Sequence, residues 1–558
     1  MGRKSAAKKQ AAGGGAAGGA ARRPAPAPGR LLPVTELGAD ESALLFRRYA
    51  WYVVGAALAF TAVFALLAWL RFRMYYGGRF DLGNMVQAVY NTAHGRFLEI
   101  TTADENARQM CRLGAHVDPI LALFALPWLV WPSPVMLLTL QAAIVATSAW
   151  PAYRLGARVT RDPRAGVLLA GALLLYPALG YGVLNEFHPV TLATPFLLFA
   201  FLFLEEDRWR RAVPFLVLAA ACKEEVPLVL AVMGVFFAIR KRSWRHLVLT
   251  GLALAYFAFA VWVVIPHFND GPSPFVDRYS AYGDSASGVV GNALTHPLQV
   301  AGDLLSADNL EYFAELLWPF GFVSLLSPLT LLIAVPEYVL NGLSTQIWQR
   351  SIQFHYTAAE TPFIFAAAVL GLMRLWRWLG GGFRRPEAEM RGELLQRRDM
   401  ALLVLLAALL GNFLLGPLPF SLPGAHSSGK DFARSGHAKV LDEAVAMVPD
   451  GVVVSVNNNV GSHLSARPVV LTFPVYEGAE YVIVDEKHPA YFDRIDRRLH
   501  QDALARLVLD QRYRSVYARD DVYVFKLVTG AGARSDGADA GGHGADADRP
   551  YAAVSPTP

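Results

Sequence analysis

Residues Trp51–Leu70, WYVVGAALAFTAVFALLAWL, form an unbroken apolar run between Arg47-Arg48 on one side and Arg71 and Arg73 on the other. A run of about twenty residues matches the hydrocarbon thickness of a bilayer. No water is present there, so only a helix pairs every backbone N–H and C=O within the segment. Similar runs recur through most of the chain, separated by short basic clusters. Charged residues make up only 17% of the sequence, against about 25% in soluble proteins. The class is therefore a polytopic α-helical membrane protein. The basic residues lie in clusters between apolar runs, which argues against nucleic acid as a partner. Two cysteines, Cys111 and Cys222, are too few for a disulfide framework.

The positive-inside rule places Arg47-Arg48 in the cytoplasm. Residues 1–48 then read as a disordered basic cytoplasmic tail, and its Ala/Gly/Pro content supports this. The apolar run starts too far in, and is too long, to be a cleavable signal. The loop from Arg71 to about Ala115 lies outside, with a short amphipathic helix expected near the interface around Met85–Tyr90. Two full spans over 116–153 would place Arg154, Arg158, Arg161 and Arg164 outside, so one crossing and one re-entrant piece broken at Pro132 and Pro134 are expected. Residues 165–184 and 190–204 flank an outer turn, NEFHP. Region 212–239 reads as two short spans with Lys223-Glu224-Glu225 at the outer rim, or as one tilted helix burying those charges. Outer loops follow at 266–309, with Arg278, and at 342–357, with Arg350 and His355. The sum is about eleven spans within a transmembrane module at 49–417. Residues 420–528 have soluble composition and short apolar runs such as VVVSV and YVIVD, which predicts a small C-terminal extracytoplasmic α/β domain. Residues 529–558 read as a disordered tail.

Several polar residues can carry chemistry. Asp81, in RFDLG just after the first span, can act as a base or hold a divalent cation, or it can cap a helix beginning at Leu82. Glu186 and His188 of NEFHP offer a carboxylate and an imidazole two residues apart. That pairing suits Zn or Mn, and carboxylates alone suit Mg or Mn. A solvated Glu and an interfacial His are the alternative. Asp118 precedes Pro119 and can cap a helix there, beside His116. Lys223 can bind a phosphate or neutralise Glu224, while Arg278, Arg350 and His355 are candidate anion contacts. The chain has no glycine-rich phosphate loop, HExxH or GxSxG motif.

RFDLGNMVQ at 79–87, GAHVDPILAL at 114–123, NEFHP, CKEEVP at 222–227 and SVNNNVGSHLSARP at 455–468 together resemble a bacterial family of multi-spanning membrane proteins, the domain of unknown function numbered 2079. That family is in turn similar to membrane glycosyltransferases of the C-type fold, such as protein mannosyltransferases and aminoarabinose transferases. The resemblance implies a polyprenyl-phosphate sugar donor and an envelope glycan, lipid or protein acceptor, meeting at the outer face of the cytoplasmic membrane among membrane lipids. It implies Asp81 as the catalytic acidic residue and Lys223, Arg278 and Arg350 as phosphate contacts. It also implies a divalent cation (Mg, Mn or Zn) at Asp81, Glu186 and His188, although Asn-Glu-Phe-His departs from the plain acidic pair of those enzymes. The rival expectation is a transporter or flippase for a lipid-linked or small anionic solute.

Overall fold

The structure, a computed structural model, describes residues 39–102, 104, 106–381, 396–419, 432–489, 494 and 497–528. The tails expected at 1–38 and 529–558 lie outside these residues. Among the described residues, five helices are long and apolar enough to cross a membrane: Arg47–Arg73, Pro134–Thr160, Trp244–Asn269, Thr361–Leu379 and Arg397–Leu415. A sixth is obtained if Pro163–Leu174 and Pro177–Leu184, bent by 48°, count as one. Shorter apolar helices cover Pro119–Trp128, Pro189–Glu205 and Pro328–Leu343. Each of the three starts on a proline, whose missing N–H and preset φ suit a first helical turn.

The first helix begins at Ala39, ahead of the apolar run at Trp51 and inside the stretch read as disordered tail. Apolar length sets how much of a helix lies in lipid and leaves its start open. Residues 116–153 divide at the Pro132–Pro134 break, with only short helices before it and a full-length span after it. Region 212–239 forms two helices, Trp209–Ala220 and Val226–Lys241, and Lys223-Glu224-Glu225 lies in the gap between them. One end of the bundle is strongly basic. There Arg154 and Arg208 hold Glu206, Arg240 holds Glu205, and Arg397 donates to the Thr160 carbonyl. Deep in the bundle, Gly371 lets two segments touch through their backbones. A Cβ at that position would sit 2.1 Å from the Val323 carbonyl oxygen, so only glycine allows this approach.

Two small sheets lie outside the helical bundle. The first is an antiparallel hairpin of β1 (Glu99–Thr101) and β2 (Gln109–Cys111). The second comprises β3 (Val454–Val456), β4 (Val470–Thr472), β5 (Tyr481–Asp485), β6 (Tyr513–Arg519) and β7 (Val522–Leu527), in the order β4-β3-β5-β7-β6. Strands β4, β3 and β5 are parallel to one another, and every one of their residues is buried. Burial on both faces explains why these strands read as continuous apolar runs instead of alternating ones.

This sheet unit docks on the first loop through the helix Asn458–Leu464. Asn458 accepts from the Phe80 N–H at 3.0 Å, Ser462 donates to the Gly77 carbonyl at 2.8 Å, and the His463 ring stacks between Phe72 and Tyr75. The helix Asn84–Ala93 was expected at the lipid interface. Its apolar residues Met85, Val86, Ala88 and Val89 are instead buried in the core of the helical bundle. On its polar side Gln87 and Asn91 both donate to the Pro468 carbonyl, which covers that face with the sheet unit.

The joint is tightest at Gly461, where a Cβ would sit 2.3 Å from the Arg79 Cβ and 3.0 Å from its Cα. Gly461→Ala should therefore destabilise the docked state by about 1–3 kcal/mol through overpacking. Thermal unfolding should show a lowered midpoint, and limited proteolysis should separate the sheet unit from the bundle sooner. Gly436→Ala, where a Cβ meets nothing within 4 Å, is the control and should behave as wild type.

Candidate functional site

Residues Arg79–Gly83 form a single π-helical turn that runs directly into the helix Asn84–Ala93. Such turns expose backbone groups that must find partners elsewhere. Here Glu186 supplies them: one carboxylate oxygen accepts from the Gly78 N–H at 3.0 Å and the Leu82 N–H at 2.8 Å. The helix-capping role open to Asp81 thus belongs to Glu186, from a turn more than a hundred residues away. Arg79 is fully buried and points into the sheet unit, where one terminal nitrogen donates to Gln87, to the Thr101 carbonyl and to the Val470 carbonyl at 2.9–3.1 Å.

With both neighbours committed, the Asp81 side chain is left 49% exposed, and one of its oxygens lies 3.4 Å from Nε2 of His188. Gln141 fixes the turn that carries His188. Its amide donates to the Glu186 carbonyl at 2.6 Å, and its oxygen accepts the His188 N–H at 2.9 Å. Glu186 itself sits at φ +59°, the left-handed region, a conformation that persists in a non-glycine residue only when its surroundings hold it. The other ring nitrogen of His188 is 2.8 Å from the Asn185 carbonyl. A carbonyl only accepts, so Nδ1 carries a proton, and that bond fixes the ring with Nε2 toward Asp81.

The surroundings are strongly charged. Burial alone would raise the Asp81 pKa, but His188, followed by Arg112 and Arg278, outweighs it and holds the carboxyl below its ordinary value. Arg112 is gripped by Asp118, at 2.8 Å for the closest contact, and donates to Asn84 at 2.7 Å. Asp118 thus pairs with Arg112 and makes no capping bond to the following helix. Burial, only partly offset by Arg112, raises Asp118 to about 6. His355 stacks on His188 with ring centres 3.6 Å apart, and burial first, then nearby positive charge, keeps it well below its usual value.

Farther in, His116 pairs with Glu224 at 2.8 Å and stacks on Phe275, whose ring also lies 4.4 Å from the Arg278 guanidinium. Lys223 pairs with Glu225 at 2.6 Å and lies over the Tyr356 ring, which neighbours His355. Lys223 is thus tied to Glu225, and Glu224 belongs to His116. Arg350 is directed to Asp308, at 4.0 Å.

The structure therefore brings Asp81, His188, His355, Arg112, Arg278 and the Lys223–Glu225 turn together in one charged cluster, whose middle is the chamber around Asp81 only in the sense that these side chains face one another. It does not gather Asp81, Glu186 and His188 as a metal centre. Glu186 holds backbone amides, and among the described residues no three His, Cys, Asp or Glu side chains come together to bind a metal ion. Sequence reasoning missed Arg112, Gln141 and the buried carboxylates Glu337 and Glu360, each 1% exposed. Polar residues inside apolar helical runs are the signal that marks the last three. A crevice of only about 10 Å³ lies beside these residues, lined by Ala68, Arg71 and Phe72 of the first helix together with Leu138, Leu184 and Glu186.

The chain belongs to the family described as "Predicted membrane protein (DUF2079)", which matches residues 71–524. All five sequence segments named above fall within that match. No curated protein matches the chain.

Glu186 yields a pH prediction. Burial, followed by the negative charge of Asp81, raises its carboxyl to about 8 from a reference of 4.5. A raised carboxyl pKa means the folded state keeps a proton that the unfolded state has lost. Its stabilising contribution is complete below 4.5 and falls away as pH rises toward 8. Glu186→Gln, which keeps an oxygen for the two amides, should flatten the decline in melting temperature over that window. An unchanged slope in thermal scans across pH would remove Glu186 as its source.

Proposed function

We propose that this protein transfers a sugar from a polyprenyl-phosphate donor to an envelope acceptor at the outer face of the cytoplasmic membrane. One observation carries the reading. Asp81 is the carboxylate that the fold leaves half exposed at the chamber, with its structural role taken over by Glu186 and its charge maintained by His188 and two arginines.

In this reading the helices make about eleven crossings, the shorter ones included. The basic end, with Arg154, Arg208, Arg240 and Arg397, faces the cytoplasm, and the N-terminus lies there too. The Asp81 chamber and the sheet unit then face outward. A lipid-linked donor approaches past Ala68, Phe72 and Leu138, whose apolar surfaces suit a prenyl chain once the narrow crevice between them widens, with Arg71 at hand for phosphate. The acceptor hydroxyl gives its proton to Asp81 as its oxygen bonds to the anomeric carbon. The bond from that carbon to the phosphate oxygen breaks, and polyprenyl phosphate leaves with its electron pair. Arg278 and Lys223, the cations nearest the chamber whose side chains stack on aromatic rings, stabilise the departing charge. No step runs through a metal, because the donor set does not assemble one.

A second reading, a transporter, is favoured by one feature. Glu337 and Glu360 are buried deeper in the bundle, where Glu360 bonds the Tyr312 hydroxyl, and a coupled ion or proton would need such groups.

Purified protein offered a panel of polyprenyl-phosphate sugars should transfer from one of them and should remain active in EDTA. Asp81→Asn should lower turnover by about 10²–10⁴-fold, the range for loss of a general base, with an unchanged melting temperature. Full activity in that variant would sink the assignment. Silence across the panel, with lipid-linked sugar crossing liposomes instead, would establish the transporter.

A further inference from the structure

At the basic end of the bundle the first helix, the helix Pro163–Leu174 and the helix Arg397–Leu415 enclose a groove of about 380 Å³. Its lining includes Tyr49 and Tyr52 from the first helix, Arg164 and Leu168 from the second, and Arg398 and Leu402 from the third. None of these residues takes part in the Asp81 chamber. We propose that the groove binds an anionic phospholipid, with its phosphate between Arg164 and Arg398 and an acyl chain laid over Leu168 and Leu402.

The argument starts from charge. Arg397 is committed: it donates to the Thr160 carbonyl at 2.9 Å and lies over the Trp376 ring. Its neighbour Arg398 lines the groove with its side chain 45% exposed. Arg164 is fixed by its Nε, which donates to the Tyr49 hydroxyl at 2.9 Å. That bond positions the guanidinium and leaves its terminal nitrogens for a ligand. A planar guanidinium fork is the side chain best matched to phosphate oxygens.

The groove also contains a carboxylate, Asp399, which would repel an anion if it were free. It is engaged instead, accepting the Gln396 N–H at 2.9 Å in a capping box and lying 3.6 Å from Arg398. Arg47 and Arg48, exposed and directly preceding Tyr49 on the first helix, add positive charge at the mouth. Together these groups give the mouth a net positive charge.

The apolar part identifies the anion as a lipid. Leu168 and Leu402 serve no purpose for inorganic phosphate. From Leu402 the helix continues along Leu403, Leu406, Leu409 and Leu410, all more than 40% exposed, and Trp51 and Tyr52 are 76% and 60% exposed on the facing helix. Tyrosine and tryptophan flanking a headgroup, with leucines running away from it, is the pattern of a membrane–water interface. A basic pocket between helix ends is where anionic lipid headgroups are recognised.

The test uses the full-length protein in an uncharged detergent. Thermal unfolding is followed while phosphatidylglycerol, phosphatidylcholine with the same acyl chains, or inorganic phosphate is titrated in. Phosphatidylglycerol should raise the melting temperature by several degrees and phosphatidylcholine should not. In the Arg164→Gln/Arg398→Gln double variant, half-maximal stabilisation should require at least tenfold more lipid. If the double variant melts early without lipid, Arg398→Gln alone and Leu402→Trp, which fills the groove from its apolar side, should show the same loss. Equal stabilisation by both lipids, an unchanged titration in the variants, or a full effect from inorganic phosphate alone would each overturn the proposal.

Discussion

The buried guanidinium of Arg79 is the contact on which the arrangement of this protein depends. A positive charge with no access to water is costly unless acceptors offset it, and here one terminal nitrogen makes all three bonds while Nε and Nη1 have no hydrogen-bond partner among the described residues. Burial lowers its pKa only to about 10, so it remains charged at neutral pH. Its acceptors come from three places: Gln87 in the next helix, Thr101 in the hairpin, and Val470 in a strand almost four hundred residues later. The loop after the first helix, the hairpin and the sheet unit are therefore tied together by this one side chain. Gly461, which lies against the Arg79 backbone, sets how closely that docking occurs.

The same joint determines which carboxylate remains available for chemistry. Of the acidic side chains around Asp81, four are held by structural tasks, Glu225 by its pairing with Lys223. Glu186 satisfies the amides of the π-helical turn, Asp118 neutralises Arg112, and Glu224 pairs with His116 and accepts the Val117 N–H. Asp81 is bonded to neither backbone nor arginine and faces a histidine whose tautomer is set by the Asn185 carbonyl. The chamber thus combines an exposed base with a fixed positive field, while its walls are stabilised by pairs that carry no chemistry of their own. The basic groove at the opposite end is independent of this arrangement and belongs to the way the bundle sits among lipids.

Much of this was legible in the chain, and the parts that were not share a cause. The membrane class, the long spans and the break at Pro132–Pro134 follow from apolar length and proline, which are local quantities. The motifs around Asp81, His116, His188 and Lys223 stood out because polar residues cluster next to apolar runs. The partners were hidden. Glu186 acting as the cap for a turn at Gly78, Lys223 pairing with Glu225 and not Glu224, and Gln141 locking the His188 turn all depend on which segments meet. The helix Asn84–Ala93 was misplaced for the same reason: its hydrophobic face fits lipid as well as protein, and only the fold packs it into the helical core with the Pro468 carbonyl over its polar side.

By itself the sequence determined that this chain is a helical membrane protein of the DUF2079 family, with a basic end and polar motifs concentrated after the first span. Apolar length, charge clusters and short motifs are written along the chain and need no folding to be read. Only the tertiary structure decided that Asp81 stands open beside His188, that Glu186 is a cap, and that the late SVNNNVGSH segment closes on the early RFDLG turn. Those outcomes come from hydrogen bonds and ion pairs between groups about a hundred to four hundred residues apart. Such contacts are specific in space and leave no periodicity in the sequence that links their two halves.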